Sequence, residues 1–235
     1  MIRLGGSLVQ RLEQDFGAGE NPILNKIRAF LNSSFLEKGE YLEELYWALK
    51  AQVLYRRCFG QLGSGSRLLD PMRLTNVQNI YIGNGVRINK HAFLLTLKLP
   101  RGPVPRLTIE DGCTIGHLNH ITCVDKVKIG RRVLTADRVH ISDNSHTFLD
   151  PGVAIRDQGI TSSGPVHIGE GSWIGEGASI LSCTIGRNCV VGSNAVVLGN
   201  IPDFCVVAGV PARILRRFDA TSGSWNRIGL DQERC

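Results

Sequence analysis

VHIGEGSWIGEGASIL, residues 166–181, decides the fold. Ile168, Ile174 and Ile180 recur at every sixth position, a period that suits neither a 3.6-residue helix nor a lone alternating strand. The same step links Ile82, Ile88 and Leu94; Ile109, Ile115 and Ile121; Ile129, Thr135 and Ile141; and Ile185, Val191 and Val197. Short strands joined by corners, three to a coil, build a parallel β-helix. Each aliphatic points inward, and a slim residue four positions on, such as Val86, Ala92, Cys113 or Ala178, fits near the corner. Glycine often follows the aliphatic, as at Gly83, Gly116 and Gly175, where unusual backbone angles are expected. Stacked coils bury each aliphatic on its neighbour one coil away.

The beat fails in four places. An insertion at 98–106 separates the first two sets, and extra residues near Asp125 stretch one step to eight. The step from Ile180 to Ile185 is only five. The longest departure runs from Thr147 to Pro165, directly after HISDNSH (140–146). Structureless stretches of that length inside a compact domain are usually functional. A loop is therefore expected to leave the coil beside His146.

Composition narrows the class. The 235 residues carry 27 glycines but only 6% aromatics, which fits a narrow repeated core filled by medium aliphatics. Lys and Arg outnumber Asp and Glu by 27 to 21, a net +6 that favours a phosphorylated ligand and is too dispersed to argue for nucleic acid. Seven cysteines without a CxxC pair read as reduced core thiols. MIRLGGSLVQRLEQDFG (1–17) lacks a signal-peptide core and no segment is long enough to span a membrane, so a cytoplasmic protein is expected. Residues 22–60 have helical spacing instead, and two helices are expected to cap one end of the coil. The Arg-Arg segment within them leaves a peripheral membrane contact open. The expected organisation is a helical capping region at 1–70, the β-helix at 71–218 with loops at 98–106 and 147–165, and a tail at 219–235.

With ISDNSH (141–146), VHIGEGSWIGEGASIL and TIGRNCVVGSNAVVLGNIPDFCVVAGVPARILR (184–216) in this order, the chain resembles the hexapeptide-repeat acyltransferases. The likeness covers roughly residues 75–217 and is strongest to the bacterial enzymes that O-acetylate polysaccharides and sugars. The resemblance implies a left-handed coil, although parallel crossovers are ordinarily right-handed. It also implies a homotrimer with active sites between subunits, acetyl-CoA as co-substrate, no metal, and a carbohydrate acceptor of polysaccharide biosynthesis. By position His146 is the general base, since imidazole titrates near ~6.5 and suits deprotonation of a hydroxyl. Asp143 or Asn144 is expected to orient its ring. Asn119 and His120, in GHLNHITC (116–123), are candidates for contacting the acceptor, although a corner also favours asparagine for backbone reasons. The resemblance places Trp173 along the pantetheine arm and makes the Glu176 backbone N–H an oxyanion donor. Ser193 is a further main-chain contact, and Arg213 and Arg216 meet the nucleotide phosphates. Leu198 and Gly199 stand where relatives carry a Thr-Lys pair, a loss Arg217 would offset.

Competing readings keep the same scaffold. N-acetylation of a nucleotide-linked amino sugar is the main alternative. A zinc hydratase would need three converging histidines, and a non-catalytic scaffold would not bind CoA.

Overall fold

The structure, a computed structural model, describes residue 30 and residues 32–228. It divides into two compact units, Met1–Leu49 and Lys50–Cys235. In the first, helix α1 (Phe35–Val53) begins with a reciprocal cap. Ser34 N donates to Glu37 Oε2 at 2.8 Å and Glu37 N donates to Ser34 Oγ at 3.3 Å, so two otherwise orphaned donors are satisfied together. The other helix expected upstream lies outside the described residues. None of the described helices is long and apolar enough to cross a membrane.

The second unit opens with the last turn of α1. Ala51 is buried there, and Gln52 Nε2 donates to the carbonyls of Gly63 and Ser66 at 3.3 and 2.9 Å. These bonds tie the turn to the first corner of the coil. The coil itself starts at Gln61–Leu62, which pairs in parallel with Tyr81–Ile82, ahead of the residue-71 boundary read from the repeat.

Three parallel sheets form a left-handed prism. The first face stacks Gln61–Leu62, Ile80–Ile82, Arg106–Ile109, Lys126–Ile129, Val166–Ile168 and Thr184–Ile185. The second stacks Arg67–Leu68, Arg87–Ile88, Thr114–Ile115, Leu134–Thr135, Trp173–Ile174, Val190–Val191 and Cys205–Gly209. The third stacks Arg73–Thr75, Phe93–Thr96, His120–Cys123, His140–Ser142, Ser179–Leu181 and Val196–Val197. The hexad aliphatics are in register from coil to coil. Ile141 pairs with Ile121 below and Ile180 above, and all three have no exposed surface. Each such side chain stabilises the fold by about 1.5–3 kcal/mol through burial. Cys113, Cys123, Cys183, Cys189 and Cys205 join this core as free thiols. Burial pushes the Cys113 thiol up to about 11 and the Cys123 thiol up to about 12.

The corners correct one expectation. Left-handed backbone falls on Leu118, Arg138 and Asn194, at φ 55°, 57° and 57°. The glycine after the aliphatic serves close approach instead: a Cβ on Gly116 would collide with the carbonyl of Ala136 in the next coil. Stacked corners there leave no room for a side chain.

Both long departures leave from the edge that joins the third face to the first. The insertion after Thr96 returns at Arg106, and the second excursion begins at Asp143 and returns at Val166. The latter is an antiparallel hairpin, Asn144–His146 against Ile160–Ser162, rather than a loop opening at Thr147. The expected C-terminal tail is also partly structured. Ala212–Asp219 folds back on Cys205–Gly209, and Ser224–Arg227 pairs with it in turn.

Candidate active site

The base of the hairpin is fixed by a polar cluster. Asp143 has no exposed surface, and its carboxylate accepts the backbone N–H groups of Val124, Asp125 and Lys126 at 2.8–3.1 Å. It therefore clamps the wide turn that the repeat betrayed as an eight-residue step. It makes no hydrogen bond to His146 among the described residues, so its geometry is that of a turn clamp and not of a ring-orienting carboxylate. Asn144 Nδ2 donates to Thr122 Oγ1 at 3.2 Å and to Asp143 Oδ1 at 3.0 Å. Ser142 Oγ donates to the Asn144 carbonyl at 2.9 Å and accepts from Thr122 Oγ1 at 3.0 Å. Ser142 and Thr122 escaped sequence reasoning because hydroxyls at outward positions look like ordinary surface.

His146 is exposed, paired in register with Ile160, and flanked by the Thr147 N–H to Gly159 carbonyl bond of 3.0 Å. Backbone pairing positions it, and both ring nitrogens are free of hydrogen bonds to the described residues. A free imidazole can accept a proton from an incoming group.

Asn119 does not fit an acceptor contact. It is fully buried; its Nδ2 donates to the carbonyls of His117 and Ala136 at 3.2 and 2.8 Å, and its Oδ1 accepts from Thr135 Oγ1 at 2.9 Å. The amide is spent inside a corner. His120 is outward on the third face, where its ring lies 5.0 Å from Phe93 and 5.4 Å from His140 between centroids. Burial lowers the affinity of His120 and His140 for protons, and at His140 the neighbouring His120 adds to the effect.

The expected donor residues gather on the second face and on the edge between the second and third faces. Trp173 is 47% exposed, in an outward column that runs Leu134, Trp173, Val190, Val206 and Arg216 in register. Arg213 and Arg216 are three residues apart on a strand, so regular alternation would send them to opposite sides. A bulge at Val206/Val207 resets the register, pairing Arg213 with Ala208 and Arg216 with Val206, both outward. Arg217 pairs with the inward Cys205 and so belongs to the other side. The column thus offers flat and aliphatic surface that ends in two guanidinium groups.

Glu176 and Ser193 occupy successive corners of that edge, linked by the Asn194 N–H to Glu176 carbonyl bond of 2.8 Å. On this edge Asp137 caps the His117 N–H one coil below at 2.7 Å, and on the edge between the first and second faces Asp111 caps Asn84 and Asp203 caps Arg187 in the same way, at 2.7 and 2.9 Å. Above Glu176 the corresponding residue is Ser193, and the Glu176 N–H has no acceptor among the described residues. The Glu176 carboxylate itself is bound by Arg138.

The site residues therefore form two groups. His146 and Asn144 lie on the edge between third and first faces; Trp173, Glu176, Ser193, Arg213 and Arg216 lie on and beside the second. The whole third face separates them within one chain. Among the described residues no cluster of three His, Cys, Asp or Glu side chains could hold a metal ion.

Residues 165–199 match the family model described as bacterial transferase hexapeptide, six repeats. The chain is 37% identical over 149 residues to Rv3034c of Mycobacterium tuberculosis, named as a probable acetyltransferase, covering 58% of this chain and 49% of that one. It is 36% identical over 125 residues to WbbJ of Escherichia coli, whose name assigns it O-acetyl transfer in lipopolysaccharide biosynthesis, covering 50% of this chain and 64% of that one. It thus spans about half the length of the first relative and under two thirds of the second. The Saccharomyces cerevisiae chain YJL218W, named as an acetyltransferase, is 30% identical over 76% of this chain and 77% of its own. Among solved structures, AntD of Bacillus cereus superposes with a TM-score of 0.60 at 18% identity, over 73% of this chain and 89% of that one. That likeness speaks for the fold alone. Taken with the repeat and the prism, these similarities identify the chain as a member of the hexapeptide-repeat acetyltransferase family.

Proposed function

We propose that this protein transfers the acetyl group of acetyl-CoA to a carbohydrate hydroxyl, in sites shared by neighbouring subunits of a homotrimer. The outward column from Trp173 to Arg216 carries this reading. An apolar rail ended by guanidinium groups is complementary to a pantetheine arm ended by phosphates. Two relatives carry names for this chemistry, one in lipopolysaccharide biosynthesis and one as a galactoside O-acetyltransferase.

In the proposed reaction, His146 of one subunit takes the proton of the sugar hydroxyl as its oxygen attacks the thioester carbonyl. The tetrahedral oxyanion receives the uncapped N–H of Glu176 from the neighbouring subunit, a donor already oriented before charge develops. Collapse expels the CoA thiolate, which takes the proton back from the imidazolium. The result is an acetyl ester and free CoA. The acceptor lies against the hairpin, where Asn144 and Thr122 frame its base, while His120 lines the third face.

The test is CoA release from acetyl-CoA across a panel of oligosaccharides and amino sugars, with His146→Ala as control. Hydroxyl-only sugars should be acetylated by the native protein and not by the variant. Transfer confined to amino sugars would replace the O-acetyl reading with the N-acetyl one.

A further inference from the structure

The edge that carries His146 also carries an unpaired pair of cations. Arg106 and Lys126 begin successive strands of the first face and are register partners. Both point outward and are exposed. Neither side chain forms an ion pair with a described residue. Lys128, by contrast, is neutralised by Glu110 at 2.9 Å. The nearest buried carboxylate, Asp143, is committed to the N–H groups of Val124, Asp125 and Lys126.

Like charges directly opposed on neighbouring strands are destabilising. The fold nevertheless gives one of them a partner that is not an anion: the Arg106 guanidinium lies 3.6 Å from the centre of the Tyr81 ring. Stacking fixes the plane of the fork and leaves its N–H edges free, which is the preparation a bidentate anion site needs. A groove of about 670 Å³ runs from Arg106 across the first face; its far part holds the carboxylates Glu110, Asp111, Glu170 and Asp203, and Lys126 stands outside its lining, so the free cations sit at its hairpin-side end.

Topology brings this pair to the reacting edge. The insertion at 98–106 is anchored by the Leu97 N–H to Cys123 carbonyl bond and the Arg106 N–H to Asp125 carbonyl bond, at 2.9 and 2.8 Å. The His146 hairpin leaves the same edge, and the strand it returns to, Val166–Ile168, pairs directly with Lys126–Ile129. Successive coils are separated by about 4.8 Å. The hairpin root is therefore one coil above Lys126 and two above Arg106, about 5 and 10 Å respectively.

We infer that Arg106 and Lys126 bind an acidic group of the acceptor, a carboxylate or phosphate, and so select an anionic carbohydrate for His146. This rests on the proposed acetyl transfer for the acceptor's identity, but the binding itself does not require turnover.

The experiment uses the full chain bearing His146→Ala, so that binding is read without reaction. Affinities are measured for a uronate-bearing oligosaccharide, a phosphodiester-bearing one and a neutral one of matched length, at low and high salt. At least one acidic ligand should bind tenfold or more tighter than the neutral ligand and lose that advantage in salt; which one identifies the acid. Adding Lys126→Gln, which leaves the Arg106–Tyr81 stack intact, should cut the preference several-fold, and adding Arg106→Gln as well should abolish it. Thermal melting checks that both variants fold. Equal affinity for acidic and neutral ligands, or a preference that survives both substitutions, overturns the inference. Absence of acetyl transfer by the native protein to any ligand would overturn the reaction instead and leave these affinities to stand.

Discussion

The buried carboxylate of Asp143 accepts the backbone N–H of Lys126 at 2.9 Å, and those of Val124 and Asp125 beside it, across one coil of the prism. A side chain three residues before His146 thus holds the turn beneath the hairpin that carries the candidate base. Its removal would strand the buried Val124 N–H and leave those of half-buried Asp125 and exposed Lys126 to water. A buried unsatisfied donor costs about 1–3 kcal/mol, so Asp143→Ala should lower stability by about that amount in urea unfolding. Asp143→Asn retains an acceptor and should lose less. If Asp143 oriented the imidazole instead, Asp143→Asn would move the acidic limb of the pH–rate profile, where the base becomes protonated, while leaving stability nearly intact.

His146→Ala should reduce turnover by about 10²–10⁴-fold, the usual worth of general-base assistance. Affinity for CoA, measured by calorimetry, should stay within about twofold, because the donor residues lie on another face. A large loss of CoA affinity would contradict the division of the site into two groups.

The bulge at Val206/Val207 makes a sharper prediction about the arginines. Arg213→Ala with Arg216→Ala should raise the KM for acetyl-CoA by about tenfold or more, as expected for two charge-assisted contacts to phosphate. Arg217→Ala, on the other side of the strand, should change it little. Equal effects from all three would mean that the bulge does not sort them.

Stability should also respond to pH through the third face. Burial lowers the proton affinity of His120 and His140 in the folded protein, so the unfolded chain binds more protons as pH falls below about 6.5. The contribution of the neutral rings is complete above that pH and is lost as pH drops toward the folded values. Thermal midpoints should therefore decline from pH 7 to 5, and His120→Gln with His140→Gln should flatten the decline. A midpoint rising over that interval would contradict the sign.

The period of six made the prism legible because every coil repeats the same burial problem: Ile141 must sit between Ile121 and Ile180. Departures were legible as positions, since a missed beat marks where the chain leaves, but their form was not. The strand at Asn144–His146 has no alternation to betray it, and the hairpin depends on pairing with Ile160–Ser162. Asn119 illustrates the opposite difficulty. A polar residue in a corner is equally compatible with binding a ligand and with satisfying carbonyls of the next coil, and only the coordinates of His117, Ala136 and Thr135 decide for the latter. The meeting of the 98–106 insertion and the hairpin on one edge was invisible, because it depends on how many corners lie between them. At the coil's start, Ala51 is buried and Gln52 bonds to the first corner, contacts that helical spacing alone did not name.

The proposed trimer joins the imidazole of one subunit to the donor rail of another, since the two occupy different sides of one prism. Co-expressing His146→Ala with the Arg213→Ala, Arg216→Ala variant and assaying the purified mixture at limiting acetyl-CoA tests this directly. Mixed assemblies would contain some sites with an intact imidazole from one subunit and an intact rail from the other, so activity should exceed the sum of the two parents several-fold. Activity equal to that sum, or full activity in a protein that remains monomeric at assay concentration, would contradict a shared site.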